Sequence, residues 1–444
     1  MSTNQIPTAG KNWFSNIQSL SNNTLDFLMD ASRDKGDVIK INTGIKTIYL
    51  ISCPKVTEEI LVKQQKSFKK SEAYEILKEL GGDGLISAEG ETWKRKRVKM
   101  NPAFQKNAIK NIFEEMEECV DEFIIDLQSK KQIDLDRTMM DITLKIILRT
   151  MFGNQVQIDS EKIYEDLTFS LEHIIKKFWN PFYALSANWN GKNKSFEESR
   201  QRFDDIIFKL TNERINMPEE EKGRYNLLDM LIGAMNDEDK PFSLKDVRDE
   251  VITTMIAGHE TTASALSFTL AELCKHPEHL SKAIEEIDTN YTDNVSGYQL
   301  TEKLPFVKAI FEEGLRMYPS AWSIGRIPLE NVEASNFSFP KGSDIAIFIS
   351  GLHRNSTYWK KPDTFDPYRF YNGDNKDMHK CQYVPFGAGS RKCIGNHFAM
   401  AEGVLLLAKM LKNFNLELVD KNVNAKAVLT LRPTQIIRAN ISAR

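Results

Sequence analysis

Cys393 lies in the run 383–402, YVPFGAGSRKCIGNHFAMAE, where a glycine-punctuated loop meets an apolar helical stretch that continues to Leu411. Cysteine binds metal as its thiolate, and a helix N-terminus favours that anion through unpaired N–H groups and the positive end of the dipole. Gly387 and Gly389 let the backbone turn tightly and approach a flat ligand where a Cβ would clash. Arg391 adds a cation suited to gripping a carboxylate. A second chemical cluster stands at 257–262, AGHETT, inside an otherwise apolar helical stretch. Burying such groups is costly unless they are partnered, so their presence there points to function.

The cysteine by itself has blander readings. A lone cysteine in a soluble protein is commonly a small buried hydrophobe. His379, Cys381, Cys393 and His397 also read H-x-C-x11-C-x3-H, a donor set that suits structural zinc. Zinc leaves Phe386, Gly389 and Arg391 without a role, and GAGSR is no compact knuckle.

Phe386, Gly389, Arg391, Cys393 and Gly395 match F-x-x-G-x-R-x-C-x-G, the haem-binding signature of the cytochrome P-450 superfamily. Three further motifs follow the family's order: Trp93 and Arg97 as W-x-x-x-R, 257–262 as A-G-x-[ED]-T-T, and Glu313 with Arg316 as E-x-x-R. The resemblance runs from about Gly81 to Leu418. It implies a mainly α fold with a minor β region, haem b lying between the long central helix and the cysteine helix. Cys393 would be the axial thiolate and metal ligand, whose electron donation favours O–O cleavage. Phe386, Gly387, Gly395, Ala257 and Ala399 would line the porphyrin. Trp93, Arg97, Arg326, Arg391 and His353 would reach its propionates, a surface role being the alternative for His353. Glu260 and Thr261 would form the proton-delivery pair. Glu313, Arg316 and Arg369 would make a buried clamp behind the cysteine loop. Some fatty-acid ω-hydroxylases carry a glutamate at the position of Ala257 that esterifies the haem; alanine cannot, so the haem would be non-covalent.

The activity so implied is a monooxygenase that inserts one atom of O2 into a C–H or C=C bond of a lipophilic substrate. A fatty acid, terpenoid or steroid would fit, walled by Ile86, Phe178, Phe182, Ile256, Ala257, Ala321 and Ile324. A peroxide-driven peroxygenase, a non-oxidative isomerase and a haem or small-molecule binding protein are the alternatives. No G-x-G-x-x-G or Walker A spacing occurs. Electrons from NAD(P)H would therefore arrive through a separate ferredoxin or flavodoxin and its reductase. Lys94, Arg95, Lys96 and Lys99, with Lys392, would form a basic dock for an acidic carrier, or simply a solvated face.

These groups need elements to position them. Residues 244–275 predict one long helix entered through the cap Ser243. A helix over 306–318 places Glu313 and Arg316 on one face. Apolar spacing over 106–153, with Ile112, Phe113, Met116, Val120, Ile142, Ile146 and Ile147, predicts bundle core. At the aromatic break 178–183 the resemblance implies a lid over the substrate channel, core aromatics at a helix end being the alternative. Residues 38–53 read as a hairpin on which Lys46 and Tyr49 hold an acidic substrate or face solvent. Strands around 344–349 and 429–431 complete β-rich parts at 38–53, 320–350 and 415–440.

The chain carries 444 residues, a net charge of −3 and 27% charged residues, which excludes a general nucleic-acid binder. No linker or repeat divides it, so 1–444 reads as one domain. Five irregularly spaced cysteines fit a reducing interior. No signal peptide and no run of 18 apolar residues appears. The expectation is a cytoplasmic, bacterial-type monomer without a membrane anchor.

Overall fold

The computed structural model describes residues 5–154, 156, 158–291, 297–373 and 377–444. The helix Leu244–Lys275 runs through its centre. Ser243 accepts from the Asp246 N–H while Asp246 accepts from the Ser243 N–H, a reciprocal cap that fixes where the helix starts. It packs along Leu135–Phe152, Pro305–Met317 and Asn396–Asn413. A Cβ at Gly258 would come within 2.7 Å of Ile147 Cδ1, so this crossing needs glycine. The expected core positions of 106–153, from Ile112 to Ile147, are all buried in one large cluster.

The β region is built on a five-stranded sheet. Its order is Val38–Asn42, Thr47–Ile51, Asp344–Phe348, Ser323–Pro328 and Phe68–Lys70, with only the second and third strands parallel. Pairing of Phe68–Lys70 with Ser323–Pro328 sets Lys70 opposite Arg326. Tyr49 turns inward onto Phe339, ring centroids 5.3 Å apart. Lys46 bonds Glu72 at 2.7 Å and faces Asp344 at 3.5 Å. Neither residue is therefore free to hold an acidic substrate, because the strand's own packing and neighbours use both. The strand expected at 429–431 lies instead at Leu431–Pro433, paired with Ala425–Ala427. Among the described residues no helix is long and apolar enough to cross a membrane.

Candidate active site

The loop that carries Cys393 is held by its own backbone and by its neighbours Arg97 and Leu61. The Cys393 N–H donates to the Phe386 carbonyl at 2.8 Å, closing the loop on itself. Arg97 donates to the Lys392 carbonyl at 2.8 Å. Gly387 and Gly389 have φ of +68° and +72°, where side chains are rarely tolerated. A Cβ at Gly389 would stand 1.8 Å from the Leu61 carbonyl oxygen. Close packing on Leu61, rather than on a flat ligand, therefore demands the second glycine. The helix itself begins at Asn396, three residues past the cysteine.

Cys393 is exposed as a residue, yet protein surrounds its thiol densely enough for burial to push it up. The Gly395 N–H, Arg97 and Lys392 pull the other way without overcoming it. A lowered pKa was expected from the helix end alone; burial wins, and a bound metal cation is what would deprotonate such a thiol. Phe386, Gly387, Gly395 and Ala399 around it are half-buried, as are Ala257, Gly258 and Thr261 on the central helix, whose neighbours Ile256 and His259 are buried.

Cations gather beside this interior. Arg391 lies over the Trp93 ring, 4.1 Å from its centroid, donates to the Ala88 carbonyl at 3.1 Å, and pairs with Glu89. Arg326 is buried and donates only to the Gly325 carbonyl, at 2.8 Å. Lys70, which sequence reasoning missed, donates to the carbonyls of Leu85, Ile86 and Ala88 at 3.2, 2.7 and 3.0 Å. Burial, then Arg391, pushes its ammonium down to about 7. Arg391, Arg326 and Lys70 lie close together with Glu89 and Glu250 as their carboxylate neighbours, and Arg97 stands apart beside Cys393. The surplus of cations fits the propionates of a haem, and the Cys393 thiol inside the fold fits its iron. Lys70 gives no signal of this in the sequence, because the strand that sets it opposite Arg326 pairs across a long stretch of chain.

The central helix stays α-helical through its polar stretch, because each polar group finds a partner. The Thr261 hydroxyl donates to the Ala257 carbonyl at 2.7 Å. His259 bonds the Met255 carbonyl at 2.7 Å. Glu260 accepts from Arg432 at 2.9 Å and from Thr430 at 3.0 Å, and Arg432 also donates to Asp136 at 3.0 Å. This Glu260–Arg432–Asp136 chain was invisible in the sequence, since its members lie far apart along it. Ser320 ties the two clusters together: its hydroxyl donates to the Thr261 carbonyl at 2.6 Å. Four residues on, Ile324 Cδ1 lies 3.3 Å from where a Cβ of Gly387 would stand. The same stretch offers Ala321 exposed and Ile324 half-buried; Ile86 is half-buried as well.

Other expected positions find different work. His353 is fully buried and its Nε2 accepts from the Val384 N–H at 2.9 Å. Burial, then Arg316, pushes it down to about 3. It buttresses the start of the cysteine loop rather than reaching a propionate, because its ring keeps no open surface. Phe182 is 83% exposed, too open for a pocket wall. Phe178 is half-exposed at the end of its helix, and the side chains of Trp179 and Pro181 lie outside the described residues. Glu313 and Arg316 form a fully buried pair at 2.7 Å, with Arg369 at 3.4 Å from Glu313. Of the supposed basic dock, Lys96 is fully buried against Asp246 and Glu250, Arg95 pairs with Asp246, and Lys99 with Asp237. Of these five only Lys94 and Lys392 stand exposed, because the helix Gly90–Met100 turns Arg95 and Lys96 toward the central helix and Lys99 toward Asp237 in the segment before it. The zinc set also separates: Cys381 is packed in the apolar core of the β region, and His379 faces Glu58 at 3.3 Å.

Comparison with known proteins accords with this arrangement. A family model described as Cytochrome P450 matches residues 6–437. Cyclooctatin synthase of Streptomyces melanosporofaciens is 28% identical over 84% of this chain and 81% of its own. Probable cytochrome P450 4s3 of Drosophila melanogaster is 30% identical over 92% of this chain and 85% of its own. In fold, the chain superimposes on the crystal structure of the cytochrome P450DA heme domain with a TM-score of 0.90. That match covers 100% of this chain and 99% of the other at 24% identity.

Proposed function

The chain belongs to the cytochrome P450 family of haem-thiolate monooxygenases, and from that premise we propose that it hydroxylates or epoxidises a lipophilic small molecule with electrons from a separate ferredoxin or flavodoxin. A haem held through Cys393 would activate dioxygen, one oxygen atom entering the substrate and the other leaving as water with two electrons and two protons. Arg97, Arg326 and Arg391 would hold the propionates, and Phe386 and Ala399 would flank the ring. Ala257 offers no carboxylate for an ester link, so the group would be held without a covalent bond to this helix.

The observation that carries the reading is the pairing of Thr261 with Glu260. Thr261 keeps open surface beside Ala257, whereas the next residue back holds a buried carboxylate tied to Arg432. The hydroxyl can orient water at the inner end and the carboxylate can pass protons to it from the outer end. Ile86, Ile256, Ala321 and Ile324 supply apolar surface and few polar groups, which supports a lipophilic substrate. A recess of about 210 Å³ on the cysteine side, lined by Arg97, Lys106, Ile394 and His397, supports docking of an electron carrier there.

The test is turnover with a ferredoxin or flavodoxin, its reductase and a library of fatty acids, terpenoids and steroids. Wild-type protein should consume NAD(P)H in step with product. Thr261→Ala should keep consuming oxygen but release peroxide, with product per NAD(P)H down by about tenfold or more. Undiminished product from that variant would remove Thr261 from the proton path, and turnover on peroxide alone would favour a peroxygenase.

A further inference from the structure

The stretch 59–65 meets the cysteine loop from outside, and its backbone is irregular where it does so. Pro54–Glu58 starts as an α-helix, with proline in the first turn, where a helix N–H has no partner anyway. From Glu59 to Lys63 the turn widens: the Gln64 N–H reaches back five residues, to the Glu59 carbonyl at 2.8 Å, instead of four. Gln65–Ser67 then tightens into a 3₁₀ turn. One wide turn inserts a residue and rotates everything after it by about 100° relative to a regular helix. Turns of this kind are rare and recur at functional sites.

The wide turn is fastened on both flanks. Glu58, buried just before it, bonds Lys380 at 2.5 Å and faces His379 at 3.3 Å. Glu59 accepts from the N–H and the hydroxyl of Ser335, both at 2.8 Å. Gln64 donates to the Glu333 carbonyl at 2.9 Å. Ile60 and Leu61 are buried in the apolar core of the β region. Two oxygens are thereby aimed at the 3₁₀ turn Gly389–Arg391 of the cysteine loop. The Leu61 carbonyl lies where a Cβ of Gly389 would collide, and Gln65 Oε1 stands 3.2 Å from the same point. Gln65 Oε1 also accepts from the Ser390 N–H at 2.9 Å. A backbone N–H can only donate, so this bond settles which end of the amide faces the loop.

Among the described residues, two side chains from other elements bond the backbone of 387–394. Arg97 donates to the Lys392 carbonyl, and Gln65 accepts from the Ser390 N–H. They grip the loop on either side of Arg391. Cys393 follows at once, its N–H on the Phe386 carbonyl and its sulfur facing the Gly395 N–H.

We propose that Gln65 is a positioning residue for the Cys393 thiolate: by pinning the Ser390 N–H it fixes the loop so that the Gly395 N–H stays on the sulfur. The proposal rests on Cys393 being the iron ligand. A hydrogen bond on sulfur withdraws electron density from a metal, and outer partners of a ligand tune a site by this route. Loss of the pin would make the sulfur more donating, disfavour reduced iron and loosen the hold of the ligand.

Haem-loaded wild type would be compared with Gln65→Met and Gln65→Glu. Methionine matches the length and accepts only weakly, whereas glutamate keeps an oxygen acceptor at the same reach. Gln65→Met should speed amide hydrogen exchange at Ser390 by about fivefold or more. At a fixed applied potential its reduced-to-oxidised ratio should move about threefold to tenfold toward oxidised, tenfold being about 59 mV for one electron. The red-shifted Soret band of the ferrous carbon monoxide form should also fade severalfold faster. Gln65→Glu should restore slow exchange and the lifetime of that band, and all three proteins should melt within about 2 °C of one another. A Gln65→Met protein with the exchange, potential and band lifetime of wild type would overturn the proposal. So would a Gln65→Glu protein that behaves like Gln65→Met, since the acceptor would then not be what matters. Wild type lacking the red-shifted band would remove Cys393 as the ligand, and the proposal with it, while exchange at Ser390 would still report the contact.

Discussion

The two clusters that meet through Ser320 are built on opposite plans. On the cysteine side, ten consecutive residues, 386–395, make the loop, and the charges around it are cations: Arg97, Arg326, Arg391 and Lys70, held to carbonyls and one glutamate. On the threonine side the buried charge is a carboxylate, Glu260, whose partners Thr430 and Arg432 come from another part of the chain, and Arg432 in turn reaches Asp136 from a third. Cations pinned beside an interior suit a resident anionic cofactor. A carboxylate on a cation that itself leads to a second carboxylate suits traffic of protons. The difference separates holding from transferring.

Breaking the cysteine side should cost the fold first. Glu313 accepts from Arg316, Arg369 and the Asp366 N–H while fully buried. Glu313→Gln would leave the Arg316 guanidinium without its counter-charge, at about 3–5 kcal/mol. Denaturant unfolding should register that loss, and little haem-loaded protein should be recovered.

The threonine side should break in function more than in stability. Arg432→Met removes the cation between Glu260 and Asp136, both only partly screened by solvent. Stability should fall by about 1–3 kcal/mol. Product per NAD(P)H should fall severalfold, with peroxide rising and the Soret spectrum of the resting protein unchanged. An unaltered product-to-peroxide ratio would remove Arg432 from the path.

Titration should distinguish two buried groups, one behind the cysteine loop and one where the cysteine helix meets the central helix, by sign. His353 is held neutral with its pKa near 3, so between its ordinary value of about 6.5 and 3 the unfolded chain binds a proton the fold refuses. Its contribution is therefore lost as pH falls through that window, and His353→Asn should flatten the acid limb of melting temperature against pH. Glu402, on the cysteine helix where it faces Thr262 of the central helix, is pushed up to about 8 by burial. Its folded pKa lies above the unfolded value, so its contribution is present below about 4.5 and declines as pH rises to about 8. Glu402→Gln should flatten the alkaline limb instead.

How much of this was legible follows from where each partner sits. The cysteine loop could be read because backbone geometry forces residue types at short spacing: φ above zero at Gly387 and Gly389, and Cys393 closing onto Phe386. The long helix could be read from Ser243 and a proline-free run that is apolar on both sides of its polar centre. Lys70, Arg432 and Asp136 could not, since a strand lysine, a C-terminal arginine and a first-turn aspartate look like solvated charges until distant elements pack. His353 and Phe182 misled for the same reason. Burial and exposure belong to the assembled fold, and the central helix takes Arg95 and Lys96, which had looked like part of a free surface.

The mildest effect expected is at Lys70. Lys70→Met would free the carbonyls of Leu85, Ile86 and Ala88 and loosen the wall that carries Ile86, raising a spectrally measured substrate Kd by about tenfold or less. A shift in haem affinity alone would assign Lys70 to the cofactor and not to the wall.

The account rests on sulfur from Cys393 reaching iron, and the ferrous protein under carbon monoxide reports that bond directly. Wild-type protein should show the red-shifted Soret band of thiolate ligation, and Cys393→Ala should lose it even where pigment is retained. A wild-type spectrum without that shift, or a variant that keeps it, would contradict the assignment.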